Sequence, residues 1–216
     1  MNQWNEIYKK NLKEYKYYDL SKPNSNMKEL VRIFKENNIK KILDLGCGNG
    51  RNLFYLLNKG FKVFGIDSSS QAIKQIRKKL NSNLIIGNIF TILPYKDNTF
   101  DAIICTQVLQ HSIERNIRKT ISEIKRILKP KGLLFLTVCG RYSKGKLRYC
   151  LVKTANKIAQ NTYIPTIGNE KGLTHFIYNK KILLEHFSKF KIINLWKDKR
   201  DYYCLLCQNY SPIFIE

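Results

Sequence analysis

The sequence predicts an α/β protein with a doubly wound, mostly parallel seven-stranded sheet, helices on both faces and a C-terminal antiparallel hairpin. Short apolar runs alternate with helical periods from Ile39 to Val138. That alternation is typical of a parallel sheet whose strands are buried on both faces. Two further apolar runs, at residues 190–196 and 202–208, follow one another closely near the end of the chain and predict the hairpin at the sheet edge.

The individual elements follow from the same pattern. The predicted parallel strands are short apolar runs at residues 40–46, 61–67, 83–88, 100–107 and 132–138. Amphipathic periods between them predict helices at residues 52–60, 68–80 and 117–128, the last ending before Pro130. In such sheets, ligands bind beyond the carboxyl ends of the strands. We therefore expect a ligand site after the first strand, where glycines are concentrated.

Residues 139–178 break this alternation and form an insertion before the closing elements. Within it, Leu147, Leu151, Ala155 and Ile158 are spaced to share one side of a helix, so one helix is predicted there. A further helix is predicted over residues 179–187, just before the hairpin.

The net charge of +23, from 39 basic and 16 acidic residues, leaves two interpretations open. A polyanionic partner, most naturally RNA, would account for it. Coding composition would also account for it, because 30 of the basic residues are Lys and only 9 are Arg, the better reader of phosphates and bases. No apolar stretch approaches the roughly 18–20 residues of a membrane span, and the N-terminus lacks the apolar segment of a secretory signal. We expect a cytoplasmic protein with no membrane partner.

The six cysteines do not indicate a metal site. Only Cys204 and Cys207 form a C-x-x-C pair, and two leucines separate them within an apolar run. Neither a second pair nor a neighbouring group of histidines completes a zinc-ligand spacing. We expect buried, reduced thiols and no bound metal.

The stretch ILDLGCGNGRN, residues 42–52, carries three glycines directly after the first predicted strand. A phosphate-binding loop needs G-x-x-x-x-G-K-[ST], and here Gly50 is followed by Arg51 and Asn52. A dinucleotide fingerprint needs G-x-G-x-x-G, and this spacing is one residue short. Asp44, which precedes the glycines, would repel a pyrophosphate but suits the cationic end of an amino acid.

Five segments, taken in chain order, resemble the class I S-adenosylmethionine-dependent methyltransferases. LDLGCGNGRN resembles the family's motif D/E-x-G-x-G-x-G, and LPYKDNTFDAIICTQVLQH resembles its L-P-F-x-D-x-S-F-D stretch with the strand that follows. IKRILKPKG resembles its R-x-L-K-P-G-G turn. The other two segments are GID, which places Asp67 after the second strand, and GNI after the third. Together they cover roughly residues 39–138, and a weaker match to the family's reversed last strand continues from residue 172.

The resemblance implies S-adenosylmethionine as cofactor, with S-adenosylhomocysteine as product. Asp67 would accept hydrogen bonds from both ribose hydroxyls, although a residue near a helix N-cap is its simpler interpretation. Asp44 would meet the ammonium group, and Ile66 and Ile89 the adenine. The implied cofactor residues are Trp4, Tyr8, Asp44, Gly46, Cys47, Gly48, Gly50, Asp67, Ser68, Asn88, Ile89, Thr106 and Gln107.

The sequence departs from the family pattern at two positions. Asn88 replaces the usual Asp that accepts from the adenine amino group, but its carbonyl oxygen can still accept. Lys131 replaces a glycine in the turn before the fifth strand. We expect cofactor binding to survive both changes.

The domain organisation follows from the resemblance. We interpret residues 1–216 as a single methyltransferase domain with an N-terminal helical lid (1–38), a cofactor-binding core (39–138), a substrate-side insertion (139–178) and a closing helix and hairpin (179–216). Trp4 and Tyr8 lie one helical turn apart in the lid. They either cover the cofactor or dock on the sheet edge.

Methyl transfer from a sulfonium is an in-line displacement that needs a base only when the acceptor must lose a proton. His111, after the fourth strand, is the candidate catalytic base; lining of the substrate pocket and simple packing are its other interpretations. Tyr142 and His175 complete the candidate substrate residues, although an ordinary loop histidine is the favoured interpretation of His175.

Three functions remain open at this point. The preferred one is methyl transfer to a small-molecule acceptor under the insertion, by a monomer or homodimer. The alternative is an RNA methyltransferase, for instance of tRNA, that uses the lysines of the insertion. The third is a non-catalytic protein that binds S-adenosylmethionine, although the intact glycine motif disfavours it.

Overall fold

The computed structural model describes residues 3–9, 22–80, 83–168 and 170–210. Residues 10–21, which belong to the predicted lid, lie outside the described residues. The chain forms two compact units. The first comprises Met1–Ile89 and Phe100–Ile104, and the second comprises Phe90–Thr99 and Cys105–Glu216.

The first unit alternates helices and strands, as the sequence pattern predicts. In chain order its elements are α1 (Gln3–Lys9), α2 (Met27–Glu36), β1 (Lys41–Leu45), α3 (Arg51–Leu57), β2 (Lys62–Asp67), α4 (Ser70–Arg77), β3 (Leu84–Ile86) and most of β4 (Phe100–Thr106). The Ser69 side chain caps α4 by accepting from the Ala72 amide, at 3.2 Å. The apolar face of α4 is buried, with Ala72, Ile73 and Ile76 fully enclosed.

The second unit holds the remaining elements. They are α5 (Glu114–Ile127), β5 (Leu128–Cys139), β6 (Tyr142–Ser143), β7 (Lys146–Leu147), α6 (Tyr149–Val152), β8 (Ala155–Ala159), β9 (Thr162–Pro165), β10 (His175–Phe176), α7 (Lys180–His186), β11 (Phe190–Lys197) and β12 (Tyr202–Asn209). The Asn179 side chain caps α7 through the Ile182 amide, at 2.9 Å. The helix predicted over residues 179–187 is therefore confirmed.

The main sheet has seven strands in the order β11-β12-β5-β4-β1-β2-β3. The pairs β1–β2, β1–β4 and β2–β3 are parallel. Strand β12 pairs antiparallel with both β5 and β11. The predicted fold class, a mostly parallel seven-stranded sheet with a C-terminal antiparallel hairpin, is confirmed.

The single helix predicted in the insertion is wrong. Among the described residues of the insertion, only Tyr149–Val152 is helical, and Ala155–Ala159 forms strand β8 instead. Strand β8 pairs antiparallel with β9, and Asn161, with φ of 55°, forms the turn between them. Strand pairing outweighs the helical spacing of Leu147, Leu151, Ala155 and Ile158, because local propensity is weak compared with tertiary contacts.

The strands near the centre of the sheet supply much of the core. Ile42, Leu43, Ile103, Leu134 and Phe135 are fully buried. The cysteines Cys47, Cys105, Cys139, Cys204 and Cys207 are buried and form no disulfide, as predicted. Among the described residues, no helix is both long and apolar enough to cross a lipid bilayer.

Candidate functional site

The loop after β1 is tied by its backbone to β2. The amides of Gly46 and Cys47 both donate to the Ile66 carbonyl, at 2.8 and 3.0 Å. Gly48 has φ of 54°, and a Cβ at this position would collide with the hydroxyl of Tyr8. A side chain at residue 48 would therefore be strained and would also displace Tyr8.

The last glycine of the motif leads directly into α3. Gly50 is the N-cap of that helix, with φ of 84°. A Cβ here would approach Ile76 Cγ1 and Phe54 Cε2 to 3.0 Å. The glycines thus permit both the turn and the close packing of the loop on its neighbours.

Asp67 ends β2 and holds the loop in place. Its Oδ2 accepts from the Gly48 amide and its Oδ1 accepts from the Ser69 amide, both at 2.8 Å. Burial raises the pKa of the Asp67 carboxyl, and these two amide bonds oppose the shift. A carboxylate has about four acceptor positions, so two remain for a ligand such as a vicinal diol.

Asp44 lies at the carboxyl end of β1 and is only 1% exposed. Within the described part of the chain, neither of its carboxylate oxygens makes a hydrogen bond of good geometry. Burial raises its pKa to about 7, while Arg51 opposes the shift, Asp67 adds to it and the Leu53 amide opposes it. Buried polar groups are normally paired, so this carboxylate indicates a cationic ligand.

We call Asp44, Gly46, Gly48, Gly50 and Asp67 the glycine cradle. Its two carboxylates fit two different parts of S-adenosylmethionine. Asp44 suits the ammonium group, and the remaining acceptor positions of Asp67 suit the ribose hydroxyls. The cradle would hold this cofactor without a phosphate-binding feature, in agreement with the sequence motif.

Helix α1 packs against α4 and brings Tyr8 to the cradle. Asn5 Oδ1 accepts from the Ser69 hydroxyl at 2.9 Å, and Gln75 Nε2 donates to the Tyr8 carbonyl at 3.2 Å. Burial raises the pKa of Tyr8, and the nearby Asp67 adds to the shift, so its hydroxyl stays protonated. Trp4 is half-buried on the same helix.

The residues predicted to contact adenine follow β2 and β3. Ile66 is 1% and Ile89 is 4% exposed, whereas Asn88 is exposed and Ser68 is half-buried. The Gly87 amide donates to the Asp67 carbonyl at 2.9 Å, which joins the two strand ends. The exposed Asn88 side chain can turn its carbonyl oxygen toward a ligand. Cys47 is buried with a raised pKa, so it contributes a neutral thiol.

Thr106 and Gln107, at the end of β4, belong to the second unit. Thr106 is buried, and the Gln107 amide donates to the Thr137 carbonyl at 2.9 Å. Gln107 has φ of 61°, which is uncommon for a residue with a side chain. Such backbone strain is concentrated at functional sites. Their predicted contact with the cofactor stays a prediction.

The second unit brings His111 and His175 together. Their rings meet edge to face, with centroids 4.6 Å apart. Glu170 joins them, because its Oε2 lies 3.2 Å from His175 Nε2. We call His111, Glu170 and His175 the histidine cluster. Burial, followed by the adjacent His175, lowers the pKa of His111 to about 3, so its imidazole is neutral at neutral pH.

Tyr142 does not belong to the histidine cluster in the described contacts. Its ring is exposed on the short hairpin β6–β7, and its carbonyl accepts from Arg148 Nε at 3.1 Å. Glu170, in contrast, is a member that the sequence interpretation missed. The only local signal was an acidic residue five positions before His175 in the loop between β9 and β10.

Comparisons with known proteins agree with this geometry. A family model described as a methyltransferase domain matches residues 43–136. The Methanocaldococcus jannaschii protein MJ1252 is 31% identical over 181 residues, which cover 76% of this chain and 68% of that protein. The tRNA N(3)-methylcytidine methyltransferase Mettl2 of Drosophila melanogaster is 28% identical and matches over 58% of this chain and 41% of that protein.

Among solved structures, the fold is similar to the Burkholderia thailandensis 1,6-didemethyltoxoflavin-N1-methyltransferase, with a TM-score of 0.63 and 14% identity. The alignment covers 87% of this chain and 79% of that one. That structure contains 1,6-didemethyltoxoflavin and S-adenosylhomocysteine. The chain spans about half the length of several curated relatives, for instance 47% of the M. jannaschii protein MJ0638.

The methyltransferase match spans the glycine motif and the strands on either side of it, and the fold agrees over nearly the whole chain. The cofactor of this family is S-adenosylmethionine. The chain belongs to the class I S-adenosylmethionine-dependent methyltransferases.

Proposed function

We propose that this chain transfers a methyl group from S-adenosylmethionine to a small-molecule acceptor. The observation that carries the cofactor assignment is the glycine cradle. Among the described residues, its buried Asp44 carboxylate makes no hydrogen bond of good geometry, and the neighbouring Asp67 has spare acceptor positions. Bound S-adenosylmethionine supplies an electrophilic methyl group, so the protein mainly has to align the acceptor and exclude water.

In this proposal the residues of the first unit bind and orient the cofactor. Asp44 pairs with its ammonium group, and Asp67 accepts from its ribose hydroxyls. Ile66 and Ile89 contact its adenine, and Tyr8 covers the loop at Gly48. These roles require no change in the protonation of Tyr8, whose pKa is raised.

The acceptor class is inferred from the burial of the histidine cluster. His175 is 1% exposed and Phe176 beside it is fully buried. An acceptor that uses these groups has to be small enough to be enclosed. His111, being neutral, can accept a hydrogen bond from an acceptor hydroxyl or amine. A Burkholderia thailandensis protein of similar fold is named a 1,6-didemethyltoxoflavin-N1-methyltransferase, and its structure contains that compound.

RNA is the second candidate acceptor, and two specific observations favour it. The net charge is +23, and Mettl2, a relative of this chain, is named for tRNA methylation. In the insertion, Lys144, Lys146, Lys153 and Lys157 are exposed. Arg148 is partly committed elsewhere, because its guanidinium lies over the Tyr202 ring at 4.5 Å.

The test supplies S-adenosylmethionine labelled in its methyl group, together with either a small-molecule extract or bulk tRNA. We expect label in the extract and none in tRNA. Label that enters tRNA and decreases as salt rises would instead establish the RNA alternative. Cofactor binding without transfer to either acceptor pool would indicate the non-catalytic interpretation.

The matched controls for this experiment are two aspartate variants. Asp67→Ala removes a carboxylate of the cradle and should abolish transfer. Asp97→Ala removes an exposed carboxylate that pairs with Arg126 and should leave transfer unchanged. Equal transfer by both variants would contradict the cofactor assignment.

A further inference from the structure

We propose that the histidine cluster binds a first-row divalent transition-metal ion, with His111, Glu170 and His175 as the protein ligands. One candidate ligand atom from each residue lies within 4.8 Å of the others. Two imidazoles and one carboxylate form a donor set typical of protein sites for zinc and iron. The metal site does not depend on the proposed function. A role for the ion in activating a methyl acceptor does rest on the proposed function.

The orientation of His175 leaves its inner nitrogen available. Its Nδ1 lies 2.9 Å from the Leu173 carbonyl oxygen, which can only accept, so Nδ1 carries the hydrogen. In the neutral ring Nε2 therefore presents a lone pair, and no hydrogen bond of good geometry reaches this buried atom within the described residues. A backbone carbonyl that fixes the far nitrogen is the usual arrangement around a metal-bound histidine.

For His111 the tautomer follows from its contact with Gln110, which is made by the candidate ligand nitrogen itself rather than by the far one. Gln110 Oε1 accepts from the Cys139 amide at 3.3 Å, which fixes the orientation of the side-chain amide. Its Nε2, a donor only, therefore faces His111 Nε2 at 3.4 Å. His111 Nε2 thus also presents a lone pair. The contact to Gln110 is long, so little is lost when a metal ion replaces it.

Glu170 completes the set at a distance that fits coordination. Its Oε2 lies 3.2 Å from His175 Nε2, although two lone pairs facing each other repel. A proton or a cation between the atoms removes that repulsion. Two ligands of a tetrahedral zinc ion, each 2.0–2.1 Å from the metal, stand about 3.3 Å apart. The observed separation therefore matches that of neighbouring metal ligands.

The chemistry of the donors selects the kind of ion. Nitrogen ligands favour Zn²⁺, Fe²⁺ or Co²⁺ over Mg²⁺ and Ca²⁺, which prefer all-oxygen sites. Three protein ligands leave at least one coordination position for water or for an acceptor atom. A bound ion there would lower the pKa of a coordinated water or hydroxyl group, whose proton would pass to solvent.

The test titrates the full-length, untagged protein with Co²⁺ after chelator treatment, in the absence of S-adenosylmethionine and acceptor. We expect one Co²⁺ per chain, visible absorption bands of a nitrogen–oxygen site, and displacement by Zn²⁺. Thiolate ligation would give intense near-ultraviolet bands, and their appearance would overturn the assignment to this cluster. Direct metal analysis of the Zn²⁺-loaded protein checks the stoichiometry.

Three variants locate the ion. Glu170→Gln keeps the shape of a partly exposed side chain but removes its charge, and His175→Ala removes a buried ligand. Both should weaken Co²⁺ binding about tenfold or more. Glu185→Gln changes an exposed carboxylate on α7 outside the cluster and should bind as the unchanged protein does. S-adenosylmethionine binding by each variant verifies that it is folded.

The outcomes separate this proposal from the proposed function. Absence of saturable Co²⁺ and Zn²⁺ binding would overturn the metal site. Metal binding that survives both Glu170→Gln and His175→Ala would also overturn it. A protein that binds one ion at the cluster but methylates no small molecule would retain the site and refute only the proposed acceptor class.

Discussion

The glycine cradle and the histidine cluster both bury ionisable side chains, but they are assembled in different ways. In the cradle, Asp67 is satisfied by two backbone amides, while Asp44 has no hydrogen bond of good geometry among the described residues. In the cluster, a backbone carbonyl fixes one nitrogen of His175 and the other faces a carboxylate. Each region is thus incomplete without a positive charge.

The difference lies in the chain distance over which each region is built. The carboxylates of the cradle end two adjacent parallel strands, β1 and β2, so a contiguous motif and one strand end encode them. His111 follows β4, His175 lies 64 residues later at the start of β10, and Glu170 comes from a turn in the insertion. The comparison therefore predicts a cradle that tolerates little change and a cluster whose ligands can be removed without loss of the fold.

Asp44→Asn is the variant of the glycine cradle from which we expect the largest change in stability and in cofactor affinity. Folding raises the pKa of this carboxyl from 3.8 to about 7, so its ionised form destabilises the folded protein. This loss in the free energy of unfolding is absent below pH 4 and grows as the pH rises to 7. Above pH 7 it is constant, at up to about 4 kcal/mol. Without ligand, the variant should be more stable than the unchanged protein at pH 8 and should lose that advantage at pH 4.

Chemical denaturation at both pH values measures this difference. S-adenosylmethionine binding by Asp44→Asn should be much weaker, because the ammonium group loses its counter-charge. In the unchanged protein, affinity should fall by up to about tenfold per pH unit below 7 as Asp44 takes up a proton. An affinity that is constant from pH 5 to pH 8 would contradict the role given to Asp44.

Asp67→Ala should reduce cofactor affinity by about 100-fold or more. In the proposed function the ribose hydroxyls donate two hydrogen bonds to this carboxylate, each worth about 1.5–3 kcal/mol, and the variant would remove both. It also removes the acceptor of the Gly48 amide. Calorimetric titration measures the loss. A change of less than about threefold would show that the ribose is held elsewhere.

Gly48→Ala tests how tightly the loop of the glycine cradle packs against Tyr8. A left-handed backbone costs about 1–2 kcal/mol once a Cβ is present, and here the Cβ also meets the Tyr8 hydroxyl. The control is Gly60→Ala, with φ of 90° but nothing near its Cβ, which isolates the backbone term. We expect the larger loss of thermal stability at Gly48.

Tyr8→Phe identifies the source of that additional loss. It removes the hydroxyl oxygen that Gly48→Ala would meet, so the double variant should recover part of the stability. When Tyr8→Phe is combined with Gly60→Ala instead, no stability should be recovered. Equal effects of Tyr8→Phe in both backgrounds would place Tyr8 away from the loop.

Lys131→Gly should have the smallest effect, a stabilisation of up to about 1 kcal/mol in the second unit. Lys131 has φ of 62°, a conformation that glycine adopts without steric cost. Lys129→Gly, two residues earlier in an extended segment of β5, should instead destabilise by about 0.5–1 kcal/mol. The two variants are compared by their denaturation midpoints, provided that the free energy of unfolding depends equally steeply on denaturant concentration in both.

The sequence allowed accurate prediction where structure is encoded locally. The parallel strands and the closing hairpin both follow from the pattern of apolar runs. The prediction of a helix in the insertion was wrong because β8 forms its hydrogen bonds with β9, and the spacing of apolar residues along one segment does not reveal pairing with another.

The glycine cradle and the histidine cluster also differ in how far their residues could be predicted from the sequence. The position of Asp44 and Asp67 at adjacent strand ends was predictable, since parallel neighbours end at the same sheet edge. The pairing of His111 with His175 was not, and neither was the arrival of Glu170. These contacts depend on the path of an irregular insertion, which periodicity does not describe.

Calorimetric titration at pH 8 tests the central claim, that the glycine cradle holds S-adenosylmethionine through its two carboxylates. The full chain is titrated with S-adenosylmethionine and with adenosine, which keeps the ribose but lacks the ammonium group. We expect one cofactor per chain, much weaker adenosine binding, and a preference between the two ligands that Asp44→Asn removes. Equal affinity for both ligands in the unchanged protein, or no saturable binding of S-adenosylmethionine, would contradict the central claim.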